Sequence, residues 1–243
     1  MGQGHELVNP LVLSLFPGIG LLDMAFEQEG FCVVRGPDLF WGGDVRRFYP
    51  PAGRFDGLIG GPPCQLFSGL ANFAYRWTHA PENLIPEYER VVAEAAPTWF
   101  VMENVPAAPL PSVAGYETRA LLLDNRWFGE EQARRRRISF GTRDGRVLMV
   151  GGFAALENHK HAPTVTASHG GGRPRMKGRI QAVSLADALR LQGCPPDFFG
   201  PHMPWTASMA KKMVIQGAPL PMGRAIARAV RQALGLPLLE ATA

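Results

Sequence analysis

Two glycines, two prolines and a cysteine form the run Gly60-Gly61-Pro62-Pro63-Cys64-Gln65-Leu66-Phe67-Ser68. It follows the apolar stretch Gly57-Leu58-Ile59, whose composition predicts a buried strand. Proline fixes φ and removes an N–H donor, while glycine lets the chain bend tightly. Such a turn is poor core material and suits the presentation of one side chain, here the Cys64 thiol. A thiolate is a strong soft nucleophile when its surroundings lower its pKa. Two other groups carry chemistry of complementary kinds. Glu103 ends the apolar run Trp99-Phe100-Val101-Met102 and is followed by Asn104. Arg134-Arg135-Arg136-Arg137 follows Gln132. Strand spacing places Arg134 and Arg136 on one side and Arg135 and Arg137 on the other.

The elements that must position these groups alternate along the chain. Leu11-Val12-Leu13-Ser14-Leu15-Phe16 reads as a strand, Pro17-Gly18-Ile19-Gly20 as a glycine turn, and residues 21–29 as a helix. Further strands are expected at 31–34, 55–59 and 99–102, with a helix at 86–96. This alternation predicts an α/β fold, a Rossmann-like, mostly parallel sheet with helices on both faces. In such sheets ligands gather beyond the carboxyl ends of the strands. Gly18, Asp38, Cys64 and Glu103 each follow a predicted strand, so they are expected to share one crevice. Past residue 138 the pattern changes. Short strands are expected at 137–142 and 146–150 around Asp144-Gly145, and residues 151–178 are rich in Gly, His, Pro and Arg. Ser184 is a helix N-cap candidate, Gly193 a stop, and 222–234 a last helix. The expected organisation is a catalytic and cofactor-binding core at 1–140, a reduced insert at 141–178, and helices at 179–243 that return to the core.

The 243 residues carry a net charge of +4, with 46% hydrophobic and 19% charged residues. That composition supports a sizeable core and excludes a disordered chain. Basic residues cluster at 134–137 and again at Arg173, Arg175, Lys177 and Arg179, which points to phosphate contacts. The three cysteines are far apart, which suggests neither a disulfide framework nor a metal site. Cys32 and Cys194 read as small buried hydrophobes, and His159, His161 and His169 as surface-loop residues rather than metal ligands. There is no signal-like start and no apolar run long enough to span a bilayer, so a soluble, cytoplasmic protein is expected, without membrane contact.

Together the motifs resemble the C5-cytosine DNA methyltransferase family, in the family's order and over nearly the whole chain. Leu15-Phe16-Pro17-Gly18-Ile19-Gly20 is similar to the first S-adenosyl-L-methionine loop. Residues 60–68 match the nucleophile motif, Glu103-Asn104-Val105 the Glu-Asn-Val motif, and Gln132-Ala133-Arg134-Arg135-Arg136 the Gln-x-Arg-x-Arg motif. Arg190-Leu191-Gln192-Gly193 and Gln216-Gly217-Ala218-Pro219-Leu220-Pro221 resemble the two late motifs.

The resemblance implies methylation of cytosine C5 in DNA, with S-adenosyl-L-methionine as cofactor and the target base flipped out of the duplex. Cys64 is then the nucleophile at C6, Glu103 the acid at the base's N3 and exocyclic amine, and Arg136 the donor at O2, with Arg134 beside it. The implied cofactor residues are Phe16, Gly18, Ile19, Gly20, Asp38, Leu39, Asp44, Val45, Pro62, Gly217 and Ala218. Those implied at DNA are Gln65, Ser68, Arg76, Arg173, Arg175 and Lys177.

Three departures from the family's pattern stand out. The insert is too short for an independent recognition domain, so sequence readout is expected to be short, or supplied by an accessory partner; a monomer is favoured. The acid usual after the second strand is displaced to Asp38. (Asp23, where a dinucleotide fingerprint would have its third glycine, speaks instead against an NAD site.) Ala218 replaces an asparagine, which opens the reading of a bulkier sulfonium cosubstrate. Two rival readings keep part of this picture: an RNA or tRNA cytosine methyltransferase, and a silent nucleic-acid-binding regulator. Restriction protection, phage DNA modification and regulation remain open as biological roles.

Overall fold

A computed structural model describes residues 9–67, 82–153, 183–201, 203 and 205–239. Its element order is β1 (Leu11–Leu15), α1 (Leu21–Gln28), β2 (Cys32–Arg35), β3 (Gly57–Gly60), α2 (Ile85–Ala95), β4 (Trp99–Asn104), β5 (Glu117–Asp124), β6 (Arg135–Thr142), α3 (Leu185–Leu191), α4 (Ala207–Gln216) and α5 (Leu220–Ala233). The strands form one six-stranded sheet in the order β2-β1-β3-β4-β6-β5. β1, β2, β3 and β4 run parallel, and β6 is antiparallel to both β4 and β5. This is a mixed α/β sheet of the Rossmann-like kind.

The central strands are apolar on both faces because helices cover both. Alternation sorts the side chains. Val12, Ile59, Trp99 and Val101 point to one face, where Phe26 of α1 and Met222, Ile226, Ala227 and Val230 of α5 complete the core. Leu13, Leu15, Leu58, Phe100 and Met102 point to the other, against Tyr88, Val91, Val92 and Ala95 of α2. A smaller apolar cluster joins Leu21 to Ala188, Leu189, Val214 and Ile215, fastening α3 and α4 to the start of α1.

Several expectations shift in register or fail. β4 extends through Glu103 and Asn104, because its antiparallel pairing with β6 continues to Asn104 opposite Arg137. Glu103 is therefore inside the strand's end and not beyond it. Residues 146–150 form no strand; β6 pairs instead with β4 and with β5, an element the sequence patterning missed. β5 is an edge strand, largely exposed, so it lacks a clean apolar alternation. α4 was also missed. Cys32 is exposed, contrary to its reading as a buried hydrophobe. It sits on edge strand β2, beyond the reach of α2. Cys194 is buried as expected, and burial pushes its thiol up to about 12. Ser184 caps α3 through a reciprocal pair of bonds with Asp187, and Gly193 stands just past the helix at φ 69°. Among the described residues, no helix is long and apolar enough to cross a membrane.

Candidate active site

The nucleophile turn follows β3 directly, and its neighbour β4 delivers the residues that hold it. Asn104 Nδ2 donates to the Pro62 carbonyl (3.1 Å), while its Oδ1 accepts from the Val105 N–H (2.8 Å). The asparagine of the Glu-Asn-Val run therefore fixes the turn that carries Cys64, which is half-buried. Glu103, one residue earlier, projects to the opposite side of the strand. Its Oε1 lies 2.7 Å from Arg136 Nε, and both side chains are only about a tenth exposed. A Cβ built on Gly61 would stand 3.3 Å from Glu103 Oε2, so the second carboxylate oxygen faces the nucleophile turn.

Cys64 lies within the field of this pair. Burial pushes its thiol above its ordinary value and the Glu103 carboxylate adds to the shift, while Arg136 and Arg134 oppose it. A lowered pKa is the condition under which a cysteine is a strong nucleophile at rest, and it is not met here, because desolvation and a nearby carboxylate disfavour a thiolate more than two arginines stabilise it.

Arg134 stands beside Arg136, and its charge reaches Glu103 and Cys64, but its guanidinium is buried and also engages the helices next to the site. Its Nη2 donates to the carbonyls of Ile215 (2.8 Å) and Gly217 (3.1 Å). Gln192 Nε2 donates to Val214 and to the same Gly217 carbonyl, and Gln132 Nε2 donates to the Leu191 carbonyl. Arg134, Gln132 and Gln192 thus lock the turn between α4 and α5. Burial, followed by the like charge of Arg136, pushes the Arg134 guanidinium down from its usual value. Arg135 points outward, and Arg137 Nη1 reaches the Ala108 carbonyl, so the expected alternation along the strand holds.

Beside the pair lies a cleft lined by residues 14–17, Leu21, Leu22, Asp23, Gly60, Gly61, Glu103, Gln216, Gly217 and Ala218. Phe16, at φ 55°, lines it, and Gly18, also at φ 55°, follows two residues later. A Cβ on Gly18 would meet nothing within 4 Å, so the loop presents an open backbone face. Gly217 is required for packing, since a Cβ there would fall 2.7 Å from the Leu21 side chain. Ala218 lies beside it, almost fully buried. The backbone of residues 14–17, the small residues Gly217 and Ala218 and the carboxyl of Glu103 fit S-adenosyl-L-methionine.

The outer cofactor candidates are arranged less simply. Asp38 Oδ2 accepts from the Gly18 N–H (2.9 Å) and its Oδ1 from Phe40 N–H (2.7 Å), so it steadies the glycine loop. Asp44 caps the short turn Val45–Arg47 and chelates the Arg46 guanidinium, which holds its carboxyl below the usual range. Val45 is buried and Leu39 is exposed. Trp41, which the sequence reading did not single out, donates from Nε1 to the Gly18 carbonyl (2.6 Å) and packs edge-on to Phe40 and Trp205. Gln65 is half-buried at the site, while Ser68, Arg76, Arg173, Arg175, Lys177 and the three histidines lie outside the described residues. Among the described residues no cluster of His, Cys, Asp or Glu could hold a metal ion.

The model of the C-5 cytosine-specific DNA methylase family matches residues 42–170, more than half of the chain. The chain belongs to that family. This methylase-family chain is similar to the Type II methyltransferase M.XorII of Xanthomonas oryzae pv. oryzae, at 30% identity over 182 residues, covering 58% of the chain and 42% of that protein. It is also similar to the Type II methyltransferase M.HgiDI of Herpetosiphon aurantiacus, at 28% identity over 184 residues, covering 63% and 59%. The chain thus spans about half the length of these curated relatives. In three dimensions it resembles a methyltransferase of Entamoeba histolytica with a TM-score of 0.62 at 10% identity, over 93% of this chain and 99% of that one. That likeness establishes the fold.

Proposed function

We propose that this methylase-family chain transfers a methyl group from S-adenosyl-L-methionine to C5 of a cytosine in DNA, through a transient bond between Cys64 and C6 of a base flipped from the duplex. The observation that carries the reading is the Glu103–Arg136 pair, 2.7 Å apart, set against the turn that holds Cys64.

Cytosine C5 is a weak nucleophile. When Cys64 gives up its thiol proton to solvent and the resulting thiolate bonds to C6, the ring's C5–C6 π electrons are displaced onto C5. The Glu103 carboxyl holds N3 and the exocyclic amine at the Watson–Crick edge, which favours that addition. Arg136 donates toward O2, where negative charge develops in the ring. Preorganised donors of this type are worth about 10²–10³ in rate. The residues of the adjacent cleft would hold S-adenosyl-L-methionine, which would supply an electrophilic methyl group to C5, its sulfonium carbon–sulfur bond breaking and S-adenosylhomocysteine leaving. Loss of the C5 proton to a base and rupture of the C6–S bond then restore the aromatic ring and release Cys64 as the thiolate, which regains its proton from solvent. Asn104 keeps the Cys64 turn in place, and Asp38 keeps the glycine loop in place. Neither needs to touch the substrate.

The raised thiol pKa fits this scheme. At neutral pH the resting group is largely the thiol, and the neighbouring carboxylate makes the thiolate a high-energy nucleophile. A base that neutralises or engages Glu103 relieves that repulsion as it binds.

The test is methyl transfer from labelled cofactor to duplex DNA, single-stranded DNA and tRNA, with the product nucleoside identified by mass spectrometry. The reading predicts 5-methylcytosine in duplex DNA, lost in Cys64→Ala. Transfer confined to tRNA would replace DNA by RNA as substrate. A heavier substituent on C5 would mark the alternative cosubstrate, and no transfer to any of the three would overturn the enzymatic reading.

A further inference from the structure

Asp23 is a fully buried carboxylate that the proposed chemistry does not use. It projects from the first turn of α1 and lines the same cleft as Glu103. Its Oδ1 accepts a 2.5 Å hydrogen bond from Ser14 Oγ at the end of β1. Its Oδ2 lies 3.0 Å from Nε of Arg35, whose side chain is half exposed. Arg35 in turn leans over the glycine turn, since a Cβ on Gly20 would fall 2.5 Å from its Nη2. Buried carboxylates are retained only where something compensates their charge. Arg35 does so incompletely. Burial outweighs both Ser14 and Arg35 and holds the Asp23 carboxyl above its usual range.

Among the residues lining the cleft, only Asp23 and Glu103 are acidic, and both are paired: Glu103 with Arg136, about a tenth exposed, and Asp23 with the half-exposed Arg35. Water screens the Arg35 charge more, so a ligand with a cationic group in this cleft meets its less compensated acid at Asp23. The cofactor brings such a group, an α-ammonium on its amino-acid arm. Resting on the proposed use of S-adenosyl-L-methionine, we infer that Asp23, oriented by Ser14 and Arg35, is the anionic anchor of that ammonium, in direct contact or through one water. The arrangement splits the cleft's two acids by task, one for the base and one for the amino-acid arm.

The experiment is calorimetric binding of S-adenosylmethionine, S-adenosylhomocysteine and methylthioadenosine to wild type, Asp23→Asn and Ser14→Ala. Methylthioadenosine keeps the adenosine end and lacks the amino-acid arm. Loss of one charge-assisted hydrogen bond predicts about a 10- to 100-fold weaker affinity of Asp23→Asn for the first two ligands and none for the third. Ser14→Ala retains the carboxylate and should show the same pattern at smaller size, which covers the case of an Asp23→Asn chain that does not fold. Equal affinity of variant and wild type for all three ligands would overturn the anchor, and so would an equal loss for all three. Failure of the wild type to bind the first two would instead defeat the cofactor assignment itself.

Discussion

Arg134 and Arg136 stand two residues apart and lean to the same side of the chain, yet they serve different regions. Arg136 meets a carboxylate at the mouth of the cleft, within the field of a cysteine. Arg134 is sunk behind it, on the carbonyls of Ile215 and Gly217. One arginine pairs with Glu103, and in the proposed reaction faces the acceptor; the other locks the turn that carries Gly217 and Ala218 along the cleft. Spacing fixes the side of the backbone on which a residue projects. The partner it meets there fixes what it does.

That contrast can be broken by exchanging the two sites for glutamine. Arg136→Gln should lower methyl transfer by about 10²–10³, as expected for removal of one preorganised donor, and it also costs stability because Glu103 loses its charged partner. Arg134→Gln should act on the fold first. Loss of charged donors to two buried carbonyls costs about 1.5–3 kcal/mol, roughly 3–12 °C in Tm for a domain of this size. Differential scanning calorimetry beside the transfer assay checks both. The contrast fails if Arg134→Gln keeps wild-type stability and loses catalysis as severely as Arg136→Gln.

A smaller effect sharpens the role of Glu103. Its carboxylate is the second cause, after burial, of the raised Cys64 thiol. Removing the charge should lower that pKa, so Glu103→Gln should speed alkylation of Cys64 by iodoacetamide at neutral pH several-fold while methylation is lost. In the wild type, alkylation should rise as pH increases above neutrality, because a raised pKa leaves the thiol protonated there. Peptide mass spectrometry separates Cys64 from the exposed Cys32, which should react readily, and from the buried Cys194. Unchanged or slower labelling of Cys64 in Glu103→Gln would show that the carboxylate does not govern the sulfur.

Much of this was legible in the sequence, and the residues show why. β1, β3, β4 and α2 announce themselves through apolar runs and one-sided periodicity, because helices cover both faces of the central sheet. The Cys64, Glu103 and Arg136 set was readable because proline, glycine and strand ends leave few places for those side chains to go. β5 was not readable. As a mostly exposed edge strand it mixes Glu117 and Arg119 with Leu121 and Leu122, and neither helix nor strand periodicity dominates. α4 was hidden for a related reason. Lys211 and Lys212 interrupt its buried stripe of Ala210, Met213 and Val214. Asp23 was noticed only as the absence of a glycine. Its significance lies in Ser14 and Arg35, one contributed by β1 and the other by β2, which no local motif brings together. The anchorage of Arg134 was hidden for the same reason, since its partners Ile215 and Gly217 lie more than 80 residues away.

The central claim concerns a single bond between Cys64 and a pyrimidine ring. Incubating the chain and S-adenosyl-L-methionine with duplex DNA carrying 5-fluorocytosine blocks the final proton loss and traps that bond. The account predicts a denaturation-resistant protein–DNA adduct, mapped by mass spectrometry to Cys64 and missing in Cys64→Ala. An adduct on another residue, or methylated unmodified DNA with no adduct on the fluorinated duplex, would contradict it.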